Sequence, residues 1–232
     1  NLELVKDPLK EPFAKPFRLL PGEFYVAYNA AALVQNSSVS IHRKMKLTPF
    51  GEGFPFSQDI PWLGSILQWG VGISGWKKGT NQQPLKLMKS NAVLASIGTV
   101  ICIESIYPDF VRNYAVSGAT MLTVITNDAW FGEVSGPQQH LSQTRMRAIE
   151  QGIPLIRAAN TGISAVIDAQ GRVLASIPLG AAGFIDVPLP ERLPPTLYSQ
   201  TGDWSALMLI LLLLAASWQR TRTERRHHIK SR

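Results

Sequence analysis

The second half of the chain alternates between short apolar runs and amphipathic stretches. Residues 92–103 (AVLASIGTVICI) form an almost unbroken apolar run of strand length, as expected for a strand buried on both faces of a parallel sheet. Residues 105–119 and 136–152 have helical patterns, with Ser105 as candidate N-cap of the first and Gly152 ending the second. Strands that alternate with helices predict a layered α/β fold.

Further apolar runs continue this alternation. Residues 121–127 and 154–160 predict two more strands. Residues 163–168 and 172–177 flank the turn signal at 169–171 (Ala-Gln-Gly), which predicts a β-hairpin.

The N-terminal part of the chain follows these periods less closely. Residues 1–23 are rich in Pro, Lys and Glu, and we expect an irregular lead-in there. Residues 24–34 predict one strand, and residues 60–70 predict a short helix. Residues 71–91 are polar and rich in turn residues, which predicts an exposed excursion.

Residues 204–218 (WSALMLILLLLAASW) form a run of 15 residues without a charge, bounded by Trp204 and Trp218. The run would extend about 22 Å as a helix, less than the roughly 30 Å of a hydrocarbon core. The flanking tryptophans and the basic tail at 219–232 nevertheless favour a transmembrane helix over a buried soluble one. This topology places the tail in the cytoplasm and residues 1–203 in the periplasm of a bacterium.

Composition and charge narrow the classes of partner. Hydrophobic residues make up 45% of the chain and charged residues 17%, which excludes wholesale disorder. The net charge is +7, but residues 219–232 contain six basic residues and one acid, so most of the charge belongs to the tail. We therefore expect membrane lipid and no nucleic acid as a partner. A single cysteine excludes a disulfide framework and a multi-cysteine zinc site, and we expect no metal.

Cys102 is the candidate nucleophile because it ends an apolar strand just before a helix, where the positive helix end favours thiolate. A lone cysteine in such a strand is more often a buried core residue, so the case for a catalytic role depends on the residues around it. Glu104 lies two residues on and points to the same side if the strand continues, while Lys44 and Glu52 lie in an earlier polar segment. A thiolate, an ammonium and a carboxylate can together catalyse acyl transfer. His140 is expected to be structural.

Polar residues follow three of the predicted strands, at 102–104, 127–128 and 160–161. They either end strands in ordinary turns or form one functional edge of the sheet, and three such ends favour the functional edge.

Several segments, in a fixed order between residues 24 and 218, together resemble the apolipoprotein N-acyltransferases, a membrane branch of the carbon–nitrogen hydrolase (nitrilase) superfamily. The resemblance implies an αββα sandwich, N-terminally incomplete and spanning residues 24–200, with the last transmembrane helix at 204–218. The matching segments are YNAAALV (28–34), KMKLTPFGE (44–52), ICIES (101–105), TNDAWFG (126–132), GPQQH (136–140), RMRAIEQGIPLIRAANTGISAVID (145–168) and TGDW (201–204).

The resemblance also implies roles for individual residues. Cys102 matches the nucleophile, and Lys44 matches the essential lysine, with Lys46 as its rival two residues on. Glu52 and Glu104 match carboxylates that matter in the family.

Three further residues complete the expected site. The backbone N–H of Ile103 is expected to form part of the oxyanion hole, and Asn127 and Trp130 are expected to contact substrate. Ile103 stands where the family often has an aromatic residue.

The resemblance implies an acyltransferase without a cofactor. Its acyl donor would be a membrane phospholipid, and its acceptor would be the N-terminal diacylglyceryl-cysteine amine of an apolipoprotein, reached through a cysteine thioester. The family's general-base Glu lies farther upstream than the 43 residues before Lys44, so we expect it to be absent from this chain. Glu3, Glu11 and Glu23 are present but are not assigned that role. A membrane-tethered nitrilase-class amidase and a non-catalytic remnant stay open as alternatives.

Overall fold

The structure is a computed structural model of the whole chain. It describes residues 1–7, 11, 13–53, 75–132 and 135–230, with residues 221–230 described by their backbone alone. The predicted short helix at 60–70 lies outside the described residues.

Eleven strands and four α-helices make up the described part of the chain. The strands are β1 (Leu2–Val5), β2 (Lys15–Pro16), β3 (Phe24–Ala27), β4 (Ala30–Gln35), β5 (Ser38–Arg43), β6 (Leu85–Lys89), β7 (Ala92–Ile101), β8 (Met121–Thr126), β9 (Leu155–Ala159), β10 (Ser164–Ile167) and β11 (Val173–Ile177). The helices are α1 (Pro108–Val116), α2 (Gly136–Gln151), α3 (Leu197–Thr201) and α4 (Trp204–Lys230), with 3-10 helices at Cys102–Ile106 and Ala129–Phe131.

A six-stranded mixed sheet forms the centre, in the order β11-β10-β9-β8-β7-β6. β7, β8 and β9 are parallel, because α1 and α2 return the chain to the same edge after each strand, while β6, β10 and β11 join in antiparallel. The parallel strands therefore end at one edge of the sheet, as the sequence predicted.

The hydrophobic core lies where α1 and α2 pack against the parallel strands. Val100 of β7, Leu122 of β8 and Leu155 of β9 are buried in one cluster with Tyr114 of α1 and Ala148 of α2. Burying each large side chain contributes about 1.5–3 kcal/mol, so this layer holds the site's strands in place.

The N-terminal segment adds smaller sheets. β1 and β2 both pair with β3, so the predicted irregular lead-in at 1–23 contains two short strands. β4 and β5 form a separate hairpin, in register from Ala30↔Arg43 to Gln35↔Ser38, which contacts β6.

Several predicted elements are confirmed and three are corrected. β7, β8, β9, the β10–β11 hairpin and α2 lie where the sequence predicted them, and α2 ends at Gly152 with a left-handed φ of 63°.

The strand predicted at 24–34 is divided at Tyr28 and Asn29. The excursion predicted at 71–91 contains β6, an edge strand of five residues of which two, Lys86 and Lys89, are charged. Ser105 does not cap α1, which begins at Pro108 after a 3-10 turn.

The transmembrane helix predicted at 204–218 is not supported. These residues do lie in α4, but no helix in the described part of the chain combines the length and apolar character that a membrane crossing requires.

Gly98 provides a test of the packing between β7 and α1. A Cβ at this position would lie 2.8 Å from Leu122 Cδ2 and 2.9 Å from Tyr114 Cβ, and both neighbours are fully buried. We expect Gly98→Ala to lower the free energy of unfolding by about 1–3 kcal/mol, measured by urea denaturation. In the control Gly183→Ala, the new Cβ meets Ile177 at 3.6 Å, an ordinary contact, and the stability should stay within about 0.5 kcal/mol. Equal unfolding midpoints for the two variants would show that this interface is not tightly packed.

Candidate active site

A cavity of about 810 Å³ lies at the edge where the three parallel strands end. Each of these strands is followed directly by a residue that lines the cavity: Cys102 after β7, Asn127 after β8 and Asn160 after β9. The three polar strand ends therefore lie at one edge of the sheet, as predicted, and a functional role for that edge stays a prediction.

Cys102 occupies a strained backbone position at the end of β7. Its φ is 52°, in the left-handed region that non-glycine residues rarely adopt, and its side chain is partly buried. The chain turns there into the 3-10 helix Cys102–Ile106. Strain of this kind costs about 1–3 kcal/mol and is often found at functional sites.

Lys44 lines the same cavity and comes directly after β5. Its backbone N–H donates to the carbonyl of Asn29 at 2.8 Å, and its side chain is 1% exposed. Its Nζ donates to Glu52 Oε2 at 2.5 Å. The predicted cysteine and lysine thus share one cleft, although they lie on separate parts of the fold.

Glu52 balances the buried charge of Lys44. Its carboxylate also accepts hydrogen bonds from the backbone N–H of Thr48 at 2.8 Å and from Asn29 Nδ2 at 2.7 Å. Burial acts to raise the pKa of Glu52, but the hydrogen bonds from Lys44 and Thr48 outweigh it and hold that pKa below its ordinary value. Glu52 is therefore ionised at neutral pH, as a counter-ion for Lys44 must be.

Glu104 is placed differently from the sequence expectation. The 3-10 turn ends the strand geometry at Cys102, so Glu104 does not point with the thiol into the cavity and is not among the described residues that line it. Its fully buried carboxylate accepts from the backbone N–H groups of Met45 at 2.6 Å, Lys46 at 3.1 Å and Ile101 at 2.8 Å. Glu104 therefore links the end of β7 to the segment that carries Lys44.

Of the remaining predicted residues, three line the cavity and one does not. Ile103, Asn127 and Trp130 line the cavity, and Trp130 is 80% exposed. The rival Lys46 lies over the ring of Tyr107 and is not among the described cavity residues, so Lys44 is the lysine that faces the thiol's cavity.

A buried polar network behind Cys102 was missed by sequence reasoning. Asp128 accepts from His140 Nδ1 at 2.9 Å, from Arg157 Nη2 at 2.5 Å and from Thr126 Oγ1 at 2.9 Å. His140 lies on α2, where a helix was predicted, and its partners lie on β9 and on the loop after β8. All four residues lie in segments that carried the resemblance, namely TNDAWFG, GPQQH and RMRAIEQGIPLIRAANTGISAVID, and Asp128 also belonged to one of the three polar strand ends.

Burial acts to raise the pKa of Asp128, but the hydrogen bond from His140 and the charge of Arg157 outweigh it and lower that pKa. Burial lowers the pKa of Arg157, and Asp128 opposes this shift. The network therefore holds a buried, paired charge behind the end of β7, where Cys102 lies.

The cavity walls are largely apolar around these polar groups. Aliphatic and aromatic side chains line it from three directions, on the strand ends, the 3-10 helices and the loop after β5, and they are Pro49, Phe50, Ile101, Ile103, Ile106, Ile125, Trp130 and Phe131. No group of three or more His, Cys, Asp or Glu in the described part of the chain is placed to hold a metal ion. The arrangement combines a thiol, a fixed ammonium and an apolar binding volume.

Comparison with known proteins gives matches over most of the chain. The sequence profile of the carbon-nitrogen hydrolase family matches residues 18–193. An apolipoprotein N-acyltransferase of Rhodopseudomonas palustris is 40% identical over 203 residues, covering 86% of this chain and 37% of that protein. One of Brucella melitensis is 42% identical over 181 residues, covering 77% of this chain and 32% of that protein.

The chain therefore spans about a third of the length of the curated relatives it matches. A carbon-nitrogen hydrolase of Helicobacter pylori G27, known from a crystal structure, is 22% identical with a TM-score of 0.49 and covers 66% of this chain and 53% of that one. Because the family profile covers well over half of the sequence, this chain belongs to the carbon-nitrogen hydrolase family.

Proposed function

We propose that this chain carries the thiol-bearing part of an apolipoprotein N-acyltransferase. In this proposal the enzyme moves an acyl chain from a membrane phospholipid to the N-terminal diacylglyceryl-cysteine amine of a lipoprotein. The observation that carries it is that Cys102 and Lys44 share one cavity whose walls are mostly apolar. The names of the curated relatives support the same reaction.

In the first half-reaction, the Cys102 thiolate attacks the carbonyl carbon of a phospholipid ester. A C–S bond forms, the ester C–O bond breaks, and the lysophospholipid leaves as an alcohol after taking up a proton. The ammonium of Lys44, together with the N–H of Ile103, stabilises the negative charge that develops on the carbonyl oxygen.

In the second half-reaction, the amine of the acceptor attacks the thioester carbonyl. A C–N bond forms, the C–S bond breaks, and the thiolate of Cys102 is regenerated while the amine loses a proton. No step requires a cofactor. The general base that would take these protons is not assigned to a residue of this chain.

Glu52 has a supporting part in this mechanism. Burying an unpaired ammonium is costly, and the ion pair with Glu52 offsets this cost and holds the Lys44 side chain at the cavity. Glu104 acts through the backbone, as a positioning residue for the segment that carries Lys44.

The apolar wall favours an acyl chain over a small amide. An amidase that acts on a small polar substrate has no use for an apolar volume of about 810 Å³. α4 adds a second apolar surface, because its residues 207–214 are each at least 44% exposed. We propose that this surface contacts lipid, which would bring the site to both of its substrates. We also infer that the β4–β5 hairpin belongs to the second sheet of an αββα sandwich.

Substitution of Cys102 tests the nucleophile. After mixing with phospholipid vesicles, intact-mass spectrometry should show an acyl adduct on the wild-type chain and none on Cys102→Ala, because only a thioester at this sulfur is proposed. An adduct that persists in Cys102→Ala would remove the assignment. If the wild-type chain instead gains the acyl group of propionamide and releases ammonia, the amidase is the better description. Absence of any adduct, with an intact relative as positive control, would favour a non-catalytic remnant.

Substitution of Glu52 tests the counter-ion. Glu52→Gln keeps acceptor and donor atoms but removes the charge that holds Lys44, so we expect acylation of Cys102 to slow by about tenfold or more, equivalent to about 1.4 kcal/mol of barrier. The matched control is Glu11→Gln, which breaks the partly buried Lys77–Glu11 pair away from the cavity and should leave the rate unchanged. Equal rates for the two variants would show that the Lys44–Glu52 pair does not contribute to the reaction.

A further inference from the structure

The carbonyl group of Cys102 is held by two buried side chains. Ser105 Oγ donates to this oxygen at 2.9 Å, and His140 Nε2 lies 3.3 Å from it. The same two side chains also touch each other, with Ser105 Oγ 2.8 Å from His140 Nε2. Ser105 is fully buried and His140 is 3% exposed, so no bulk water competes for these contacts.

Hydrogen counting within this triangle assigns the donors. A carbonyl oxygen can only accept, and the Ser105 hydroxyl has one hydrogen, which it gives to Cys102. The short contact between Ser105 and His140 is then favourable when His140 Nε2 donates to Ser105 Oγ. The other ring nitrogen, Nδ1, faces the carboxylate of Asp128 at 2.9 Å and Arg157 Nη2 at 3.1 Å.

The ring of His140 is itself held from behind. Asp128 receives Nδ1, and Arg157 donates to the other oxygen of the same carboxylate. Arg157 is fixed in turn by Thr144 Oγ1 at 3.0 Å and by the carbonyl of Ile163 at 3.1 Å. The ring of Phe131 covers His140 at 5.9 Å between centroids. These partners come from α2, β9 and two loops, so the ring has little freedom to tilt.

Because the peptide bond is planar, fixing the Cys102 carbonyl also fixes the direction of the Ile103 N–H group. The described residues contain no cis peptide bond, so the Cys102 carbonyl and the Ile103 N–H point in opposite directions from one plane. Ser105 and His140 therefore set the direction of the Ile103 N–H. This matters because Cys102, at φ 52°, has a conformation that its own backbone does not favour.

We propose that Ser105 and His140, supported by Asp128 and Arg157, form a clamp on the Cys102–Ile103 peptide that aims the Ile103 N–H at the developing oxyanion. They are positioning residues, since they act through this peptide: Ser105, Asp128 and Arg157 are not among the described residues that line the cavity, and His140, which does line it, also reaches the Cys102 carbonyl. The proposal rests on the proposed function, in which Cys102 attacks a carbonyl and Ile103 stabilises the resulting charge. It adds a group of four residues to the site, of which the sequence had suggested Ser105 only as a helix cap, Asp128 only as part of a polar strand end and His140 only as a structural residue.

The first test compares two reactions of the same thiol. Acylation by p-nitrophenyl butyrate passes through an oxyanion and needs the Ile103 N–H, whereas alkylation by iodoacetamide displaces iodide at carbon and needs no oxyanion hole. Ser105→Ala should slow acylation by about 10-fold to 100-fold, toward the effect of losing an oxyanion donor. Alkylation should stay within twofold of the wild-type rate. A general loss of structure would slow or speed both reactions together.

Ser199 offers a matched control. It is also a buried serine, and its Oγ donates to the carbonyl three residues earlier, that of Thr196, at 2.9 Å, as Ser105 does to Cys102. Ser199→Ala should leave both rates unchanged. His140→Gln, which retains a donor near the Nε2 position, should acylate faster than His140→Ala.

The second test does not depend on catalysis. In a ¹H–¹⁵N correlation spectrum, the amide resonance of Ile103 should shift in Ser105→Ala and in His140→Ala and should not move in Ser199→Ala. Unmoved Ile103 resonances in both site variants, or equal slowing of acylation and alkylation, would overturn the clamp. If the wild-type chain alkylates but never acylates while the resonance shifts as expected, the proposed function fails and the clamp stands.

Discussion

The carboxylate of Glu104 is the interaction on which the rest of the site depends. It gathers three backbone N–H groups, two from the segment after β5 and one from the end of β7, inside a fully dehydrated environment. A hydrogen bond contributes about 0.5–1.5 kcal/mol net, and leaving a buried polar group without its partners is costly. The segment of Lys44 and the strand of Cys102 therefore cannot separate without breaking these hydrogen bonds and leaving buried polar groups unpaired.

Sequence reasoning located the edge of the sheet because that edge follows from simple physics. Long apolar runs at 92–103 and 121–127 are typical of strands covered on both faces, and parallel strands end on the same side. The polar residues at their ends, including Cys102 and Asn127, had to meet. Lys44 could not be placed in this way, since the hairpin that carries it belongs to no periodic pattern. Its position in the cavity of Cys102 was expected only from the resemblance of its segment to a family.

The contacts that the sequence did not predict depend on how the chain folds around them and not on local residue preferences. The direction of Glu104 depended on a 3-10 turn that replaces the strand at Cys102, and no local residue preference announces that turn. Ser105 looked like a helix cap because Ser is a good cap, whereas its hydroxyl instead binds the carbonyl of Cys102. Asp128 and Arg157 lie 29 positions apart, and their ion pair follows from neighbouring strands rather than from spacing.

Charged groups lie on two sides of Cys102, one facing the cavity and one behind the end of β7. On the cavity side, Lys44 is buried beside apolar walls, where a charge acts more strongly than it would in water. On the other side, Asp128 and Arg157 form a buried ion pair behind His140, and in the proposed clamp this network fixes the backbone from which the thiol projects. Both sides are assembled during folding, by Glu52 and Glu104 on one and by His140 on the other. In the proposed reaction, a substrate carbonyl therefore meets dipoles and charges that are already in position. Water molecules would have to reorient to stabilise the developing oxyanion, and this preorganised site avoids that cost.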